Sequence, residues 1–344
     1  MALVAERAPA QQLSVGFFDA WGYSRPCGAM TAKQVDTTKY THVLWSFLTI
    51  KDDLSLGLGD ETQWKDFLAM PNVKKLASLG GDSVGHNLAT ALKKDMDGFV
   101  NKIADFLDKN KGLDGLDIDW EFPDANEANT IYLDFVRKLR SKLGPGKILS
   151  VDVRVDDSVL TWPLKEMAKE VDFFIVMSYG YYSYKWGATA KYDCPRGDCL
   201  RPHMDLRRVT ETFGWVTKDV PASKFVMGIA NYGNGVVLAN AACVDPRDKA
   251  CTYIMNQAPA ESRCMKGSDA RGTFILNEIR TIVAEKKPGT QTLYDKDSDS
   301  SILIYNNPNA IWIGYLDDNT IASRKQRYAS WGAAGSAEWT LTMR

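Results

Sequence analysis

The sequence predicts an α/β barrel carrying a small α+β insertion. Three observations point to it. Eight short apolar runs alternate with helix-period stretches; the fourth run bears three acids on one face; and the alternation breaks once, in a cysteine-bearing stretch late in the chain. Eight strands with intervening helices close into a (β/α)₈ barrel. The 344 residues suffice for one such barrel plus an insertion.

The strands fall at 15–19, 42–47, 73–79, 112–120, 148–153, 173–178, 225–230 and 337–341, most of them runs of Val, Ile, Leu, Phe or Trp. Helices fall at 31–36, 64–70, 96–110, 126–143, 162–168, 205–217 and 321–331. The clearest is 96–110, where Phe99, Ile103, Phe106 and Leu107 share one helical face. Between Tyr232 and about Asn309 the strand–helix spacing is lost. The stretch 233–309 holds three cysteines, a helix-like segment at 272–284 and strand-like runs near Thr292 and Ile302. It forms a small α+β insertion between the seventh strand and its helix. The barrel therefore spans 13–342, preceded by an N-terminal extension, 1–12.

Composition narrows the function. A net charge of −1 argues against nucleic acid and against acidic membrane surfaces. A neutral polysaccharide suits it, and 14 Tyr and 10 Trp supply surfaces for sugar stacking. No apolar run approaches the roughly 20 residues that span a bilayer. Residues 1–12 lack the basic start and long apolar stretch of a secretory signal. Of the six cysteines, Cys194, Cys199, Cys243, Cys251 and Cys264 cluster in two polar stretches, and Cys27 stands apart. The pattern implies disulfides and an oxidising, extracellular setting. Several connectivities remain open, with the short Cys194–Cys199 loop the favoured single pair. A zinc site would want a C-x-x-C pair and a histidine cluster, and neither is present. No cofactor or metal is expected. His42, His86 and His203 are scattered and read as structural. A monomer is expected.

The chemistry concentrates in Asp114-Gly115-Leu116-Asp117-Ile118-Asp119-Trp120-Glu121-Phe122. Side chains alternate along a strand, so Asp117, Asp119 and Glu121 share one face and Leu116, Ile118, Trp120 and Phe122 the other. Asp is depleted in strands, and like charges on one face repel. Such a cost is accepted where acids do chemistry. Neighbours about 6.6 Å apart along the strand separate their proton affinities, giving a general acid beside a charged helper.

This run resembles the D-G-x-D-x-D-x-E signature of family 18 glycoside hydrolases, the chitinases. Further landmarks follow in order: Ser78-Leu79-Gly80-Gly81 resembles S-x-G-G on the third strand, Met177-Ser178-Tyr179 the M-x-Y of the sixth, Tyr232-Gly233 the Y-G after the seventh, and Trp339 the aromatic floor of the sugar site. Arg25-Pro26-Cys27, Cys194 to Cys199 followed by Leu200-Arg201, and Tyr315-Leu316-Asp317-Asp318 are most similar to the fungal, killer-toxin-related branch.

The resemblance implies cleavage of β-1,4-N-acetylglucosaminide bonds in chitin or chitooligosaccharides, retaining and substrate-assisted. Glu121 would protonate the glycosidic oxygen. Asp119 would orient the acetamido N–H, Asp117 would tune Asp119, and Tyr179 would donate to the acetamido oxygen. Trp339 would stack on the sugar. Phe17, Phe47 and Met177 would line the barrel mouth, with Gly80, Gly81, Phe122 and Tyr232 completing the substrate site. Four positions depart from the family pattern. Gly180 stands where M-x-Y-D has Asp, Asp82 where Trp is common, Asn234 where Arg is common, and Phe122 where Tyr is frequent. Such changes leave two further readings open: a chitooligosaccharide-binding, lectin-like protein with little turnover, and an endo-β-N-acetylglucosaminidase acting on N-glycans.

Overall fold

A computed structural model describes residues 12–344 except 83, 190–193 and 307–308; residues 1–11 of the N-terminal extension lie outside the described residues. The barrel strands are β1 (Leu13–Asp19), β2 (His42–Ile50), β3 (Lys74–Gly80), β4 (Gly115–Asp119), β5 (Ile148–Val153), β6 (Phe173–Val176), β7 (Phe225–Ala230) and β8 (Gly335–Trp339). Each pairs in parallel with its neighbour in sequence, and β1 pairs with both β2 and β8, which closes the ring. The (β/α)₈ fold is thus the one the alternation predicts. Helices α1 (Trp64–Leu68), α2 (Gly85–Lys109), α3 (Leu133–Leu143), α4 (Leu164–Met167), α5 (Leu206–Val216), α6 (Leu276–Glu285) and α7 (Asp318–Ser330) complete it.

The two faces of each strand explain the packing. Val15, Phe17, Leu44, Leu76, Phe173, Ile175, Val226 and Ala337 point inward and fill the lower barrel. The alternate residues, among them Trp45, Leu79, Ile118, Val151, Phe174 and Ile229, belong to the larger core under the helices. There they join Phe99, Ile103 and Leu107 of α2 and Phe135, Val136 and Leu139 of α3. Burial of this apolar surface is the main driving force for the fold.

Register positions the upper barrel. Ser78 pairs with Asp117 and Asp117 with Ser150, placing three polar side chains in one row above the apolar plug. Gly80 pairs with Asp119 one step higher.

Several boundaries differ from expectation. The fourth strand is shorter than 112–120, because it needs only the stretch that pairs with β3 and β5. The eighth lies at Gly335–Trp339 rather than 337–341, since Leu341–Met343 turns into a 3₁₀ helix. The segment 31–36 is a 3₁₀ turn, Ala32–Gln34, closed by a Thr31/Gln34 capping box. Helix 96–110 extends back to Gly85, with a break at Asp95, whose carboxylate accepts from the Gly98 N–H at 2.9 Å and caps the second half. The stretch 126–143 contains a π turn, Ala128–Tyr132, ahead of α3.

Between β7 and α7 the chain builds a separate five-stranded antiparallel sheet. Its order is Thr273–Ile275, Tyr232–Val237, Ala310–Tyr315, Ser300–Asn306 and Gln291–Asp295. Phe274, Ile279, Leu303, Ile311 and Ile313 pack between this sheet and α6 and join the main core. Three disulfides are present: Cys194–Cys199, as favoured from sequence, together with Cys243–Cys251 and Cys27–Cys264. The last ties the segment after β1 to the stretch that precedes strand Thr273–Ile275. Among the described residues no helix is long and apolar enough to cross a membrane.

Candidate active site

The acids of β4 rise through the barrel axis to its C-terminal mouth, where sites sit in this architecture. Asp117 is fully buried and accepts from the Ser78 and Ser150 hydroxyls at 2.6 Å each. Burial pushes its carboxyl up, and the two hydroxyls oppose that. Asp119, one turn of the pleat higher, is held well above the usual carboxylate range by burial and then by the charges of Glu121 and Asp117. Glu121 lies two residues past the strand end. Burial and then the Asp82 charge push its carboxyl to about 7, while hydrogen bonds from Asp119 and the Asp82 backbone limit the rise. A carboxylic acid that keeps its proton near neutrality is a general acid in waiting.

Aromatic rings floor the mouth. Trp339 ends β8, half-buried, and stacks on Phe47 at 5.4 Å while meeting Phe17 edge-on at 5.3 Å. Gly81 lies against Phe47, and its backbone N–H donates to the Asp119 carbonyl at 2.9 Å. Met177 is buried just beyond β6, its N–H on the Val153 carbonyl at 3.0 Å. Tyr179 meets Tyr232 edge-on at 6.3 Å, and burial together with the charge of Asp152 raises its hydroxyl strongly. His203 buttresses this corner. Its ring lies 4.7 Å from that of Tyr232, Nδ1 accepts from the Gly180 N–H at 3.4 Å, and Nε2 lies 3.1 Å from the Tyr232 carbonyl. Burial pulls its pKa to about 4, so the ring is neutral and Nε2 carries the proton.

Two sequence readings change here. Phe122 does not continue the apolar face of β4. The chain turns after Glu121, leaving Phe122 40% exposed with the Arg154 guanidinium 4.8 Å from its ring. Asp152 was missed. It sits buried on β5 beside Asp117 and Asp119, within hydrogen-bond reach of both. Its signal was present: an Asp inside a strand, two residues after Ser150 and on the same face.

Residues 14–343 match the family described as glycosyl hydrolases family 18. The chain belongs to this family. Among curated relatives, the secreted chitinase LysM12 of Penicillium expansum is 28% identical across 100% of this chain and 24% of its own length. The killer toxin subunits alpha/beta of Kluyveromyces lactis are 24% identical over 90% of this chain and 27% of their own length. The chain spans a quarter to a third of the length of the first curated relatives it matches. Among solved structures, an immunomodulatory active chitinase from Trichuris suis superposes with a TM-score of 0.81 at 18% identity, covering 97% of this chain and 93% of that one.

Within this family 18 chain the departures have distinct settings. Gly180 adopts a φ of +77°, and a Cβ there would meet nothing within 4 Å, so the space beside Tyr179 is open. Asp82 is exposed at the mouth and its backbone serves Glu121. Asn234 turns its amide to the Tyr182 carbonyl at 3.2 Å.

Proposed function

We propose that this chain hydrolyses β-1,4-N-acetylglucosaminide bonds in chitin or chitooligosaccharides with retention of configuration. The observation carrying this is the buried acid run of β4, ending in a Glu121 that keeps a proton near neutrality at an aromatic-floored mouth. Glu121 protonates the glycosidic oxygen. The sugar's acetamido oxygen attacks the anomeric carbon, displacing the leaving sugar and forming an oxazolinium ion that water then opens. Asp119 orients the acetamido N–H and balances the positive charge, Asp117 tunes the protonation of Asp119 through its charge, and Tyr179 donates to the acetamido oxygen. Trp339 stacks on the sugar, and Phe17, Phe47 and Met177 shape its floor with Gly80, Gly81, Phe122 and Tyr232 around it.

Chitin oligomers from tetramer to hexamer, resolved by mass after incubation, test the reading. Shorter N-acetylglucosamine oligomers should appear, while fully deacetylated oligomers and cellohexaose stay intact. Cleavage of the latter would rule out substrate assistance. A second reading, oligosaccharide binding with little turnover, draws on the open space at Gly180 and on Asp82 at the mouth; tight binding without products would select it.

We also read the chain as secreted, supported by its three disulfides and by the name of its Penicillium relative. Its place in the killer-toxin-related fungal branch is supported by the Kluyveromyces match. We read 233–309 as an insertion domain walling one side of the mouth.

A further inference from the structure

The D-x-D-x-E run is not the whole acid cluster. Asp152 lies on β5 with Ser150 on the same inward face. Because β4 and β5 pair Asp117 with Ser150 and Ile118 with Val151, the next step brings Asp152 level with Asp119. Its side chain lies within hydrogen-bond reach of both Asp117 and Asp119, and Asp119 reaches Glu121 in turn. Four carboxyls therefore form one unbroken series: Asp117, Asp152, Asp119, Glu121.

The series has a vacancy that only a proton fills. Asp117 already takes two serine hydroxyls. Asp119 Oδ1 and Asp152 Oδ1 are buried and neither has a donor. Two ionised carboxylates are acceptors only; with one proton, one of them becomes a donor and both oxygens can be served. The other titratable groups facing Asp152 are Tyr179 beyond β6 and Tyr132 from the π turn, both kept neutral by burial. Arg154, two residues on, pairs with Asp156 instead. No cation reaches Asp152 among the described residues. Burial and neighbouring acids raise Asp152 and Asp119 alike, but the hydrogen bonds inside the cluster lower Asp117 and Asp119 and raise Asp152, which makes Asp152 the member that keeps the proton and donates it.

We propose that Asp152 is a positioning residue of this site: its neutral carboxyl donates its O–H to Asp119, fixing the Asp119 side chain and its negative charge toward the substrate acetamido group. The inference rests on the hydrolytic reading above. Donors and acceptors then alternate along the series, with protons on Asp152 and Glu121 and charges on Asp117 and Asp119.

The test compares Asp152→Asn, whose amide N–H replaces the O–H, with Asp152→Ala, which has no donor. Thermal melting checks that both fold. On one soluble chitin oligomer, Asp152→Ala should lose about tenfold or more in kcat, with KM within about threefold. Its acid limb should move to higher pH, since Asp119 without its donor binds a proton more readily. Asp152→Asn should keep kcat within about threefold and the wild-type acid limb. An alanine variant with wild-type kcat and acid limb overturns the proposal, as does an asparagine variant as impaired as alanine. Infrared spectra of wild type and Asp152→Asn at neutral pH provide a second reading that needs no turnover. The variant should lack one protonated-carboxyl C=O band, and identical carboxyl bands overturn the proposal. If wild type cleaves no chitin oligomer the hydrolytic reading fails, and the infrared difference still decides whether Asp152 holds the proton.

Discussion

Gly80 and Asp119 touch backbone to backbone: a Cβ on Gly80 would lie 1.8 Å from the Asp119 carbonyl oxygen. Gly80 also holds a φ of +131°, which side chains resist. Neither backbone can yield without shifting the carboxyl above it. Gly80→Ala should therefore destabilise the fold by about 3 kcal/mol or more. Urea unfolding monitored by tryptophan fluorescence measures this. A midpoint equal to wild type would show that β3 and β4 can part locally.

Glu121→Gln should abolish turnover while preserving oligosaccharide binding, because glutamine keeps the shape and cannot supply a proton. It should also stabilise the protein in a pH-dependent way. The folded state holds the Glu121 proton up to about 7 against an ordinary value of 4.5. Between those values the native form binds more protons than the unfolded chain, so wild-type stability falls as pH rises and levels off above the upper value. Glutamine pays no such penalty. Melting curves across this range should show the variant gaining over wild type as pH rises and no gain below the lower value. A constant difference across the range contradicts the assignment of the shift to Glu121.

Trp339→Ala should weaken chitooligosaccharide binding by about 1–3 kcal/mol through lost contact area. The structure adds a stability cost, because Phe17 and Phe47 both rest on this ring. Glu338, directly before it, anchors the strand end. Burial would raise its carboxyl, but Lys325 and Arg344 hold it down at about 2. Calorimetry giving unchanged affinity in a folded Trp339→Ala variant would return the ring to a packing role.

How much of this was legible in the sequence follows from which interactions are periodic. Asp117 and Asp119 were readable because one strand alternates faces, and α2 because Phe99, Ile103 and Leu107 repeat at helical spacing. Asp152 carries a signal on its own strand, an acid two residues after Ser150 on the same face, but its place beside Asp119 depends on register between two strands, which a pattern read along one strand does not contain. His203 beneath Tyr232 and the Cys27–Cys264 bond span even longer separations and left no local trace. Phe122 leaves the face that alternation predicts because β4 and its pairing with the neighbouring strand end at Asp119.

Asp82→Asn should lower the pKa of Glu121 and move the alkaline limb of the hydrolytic rate to lower pH. Asp82 contributes two opposed effects to Glu121: its charge raises the carboxyl's proton affinity, and its backbone N–H donates to the carboxyl and lowers it. Asparagine removes the charge and keeps the N–H, so only the raising effect is lost. Glu121 must be protonated to act, and a lower pKa means activity disappears earlier as pH rises. Burial is the larger cause and remains, so the limb should settle between the ordinary value of 4.5 and about 7. Because Asp82 is exposed, salt should shift the wild-type limb in the same direction and leave the variant's limb nearly fixed. Rate–pH profiles of both proteins at low and high salt provide the measurement. Superimposable alkaline limbs at low salt would show that burial alone sets the proton affinity of Glu121, and that the acid at position 82 serves the site only through its backbone.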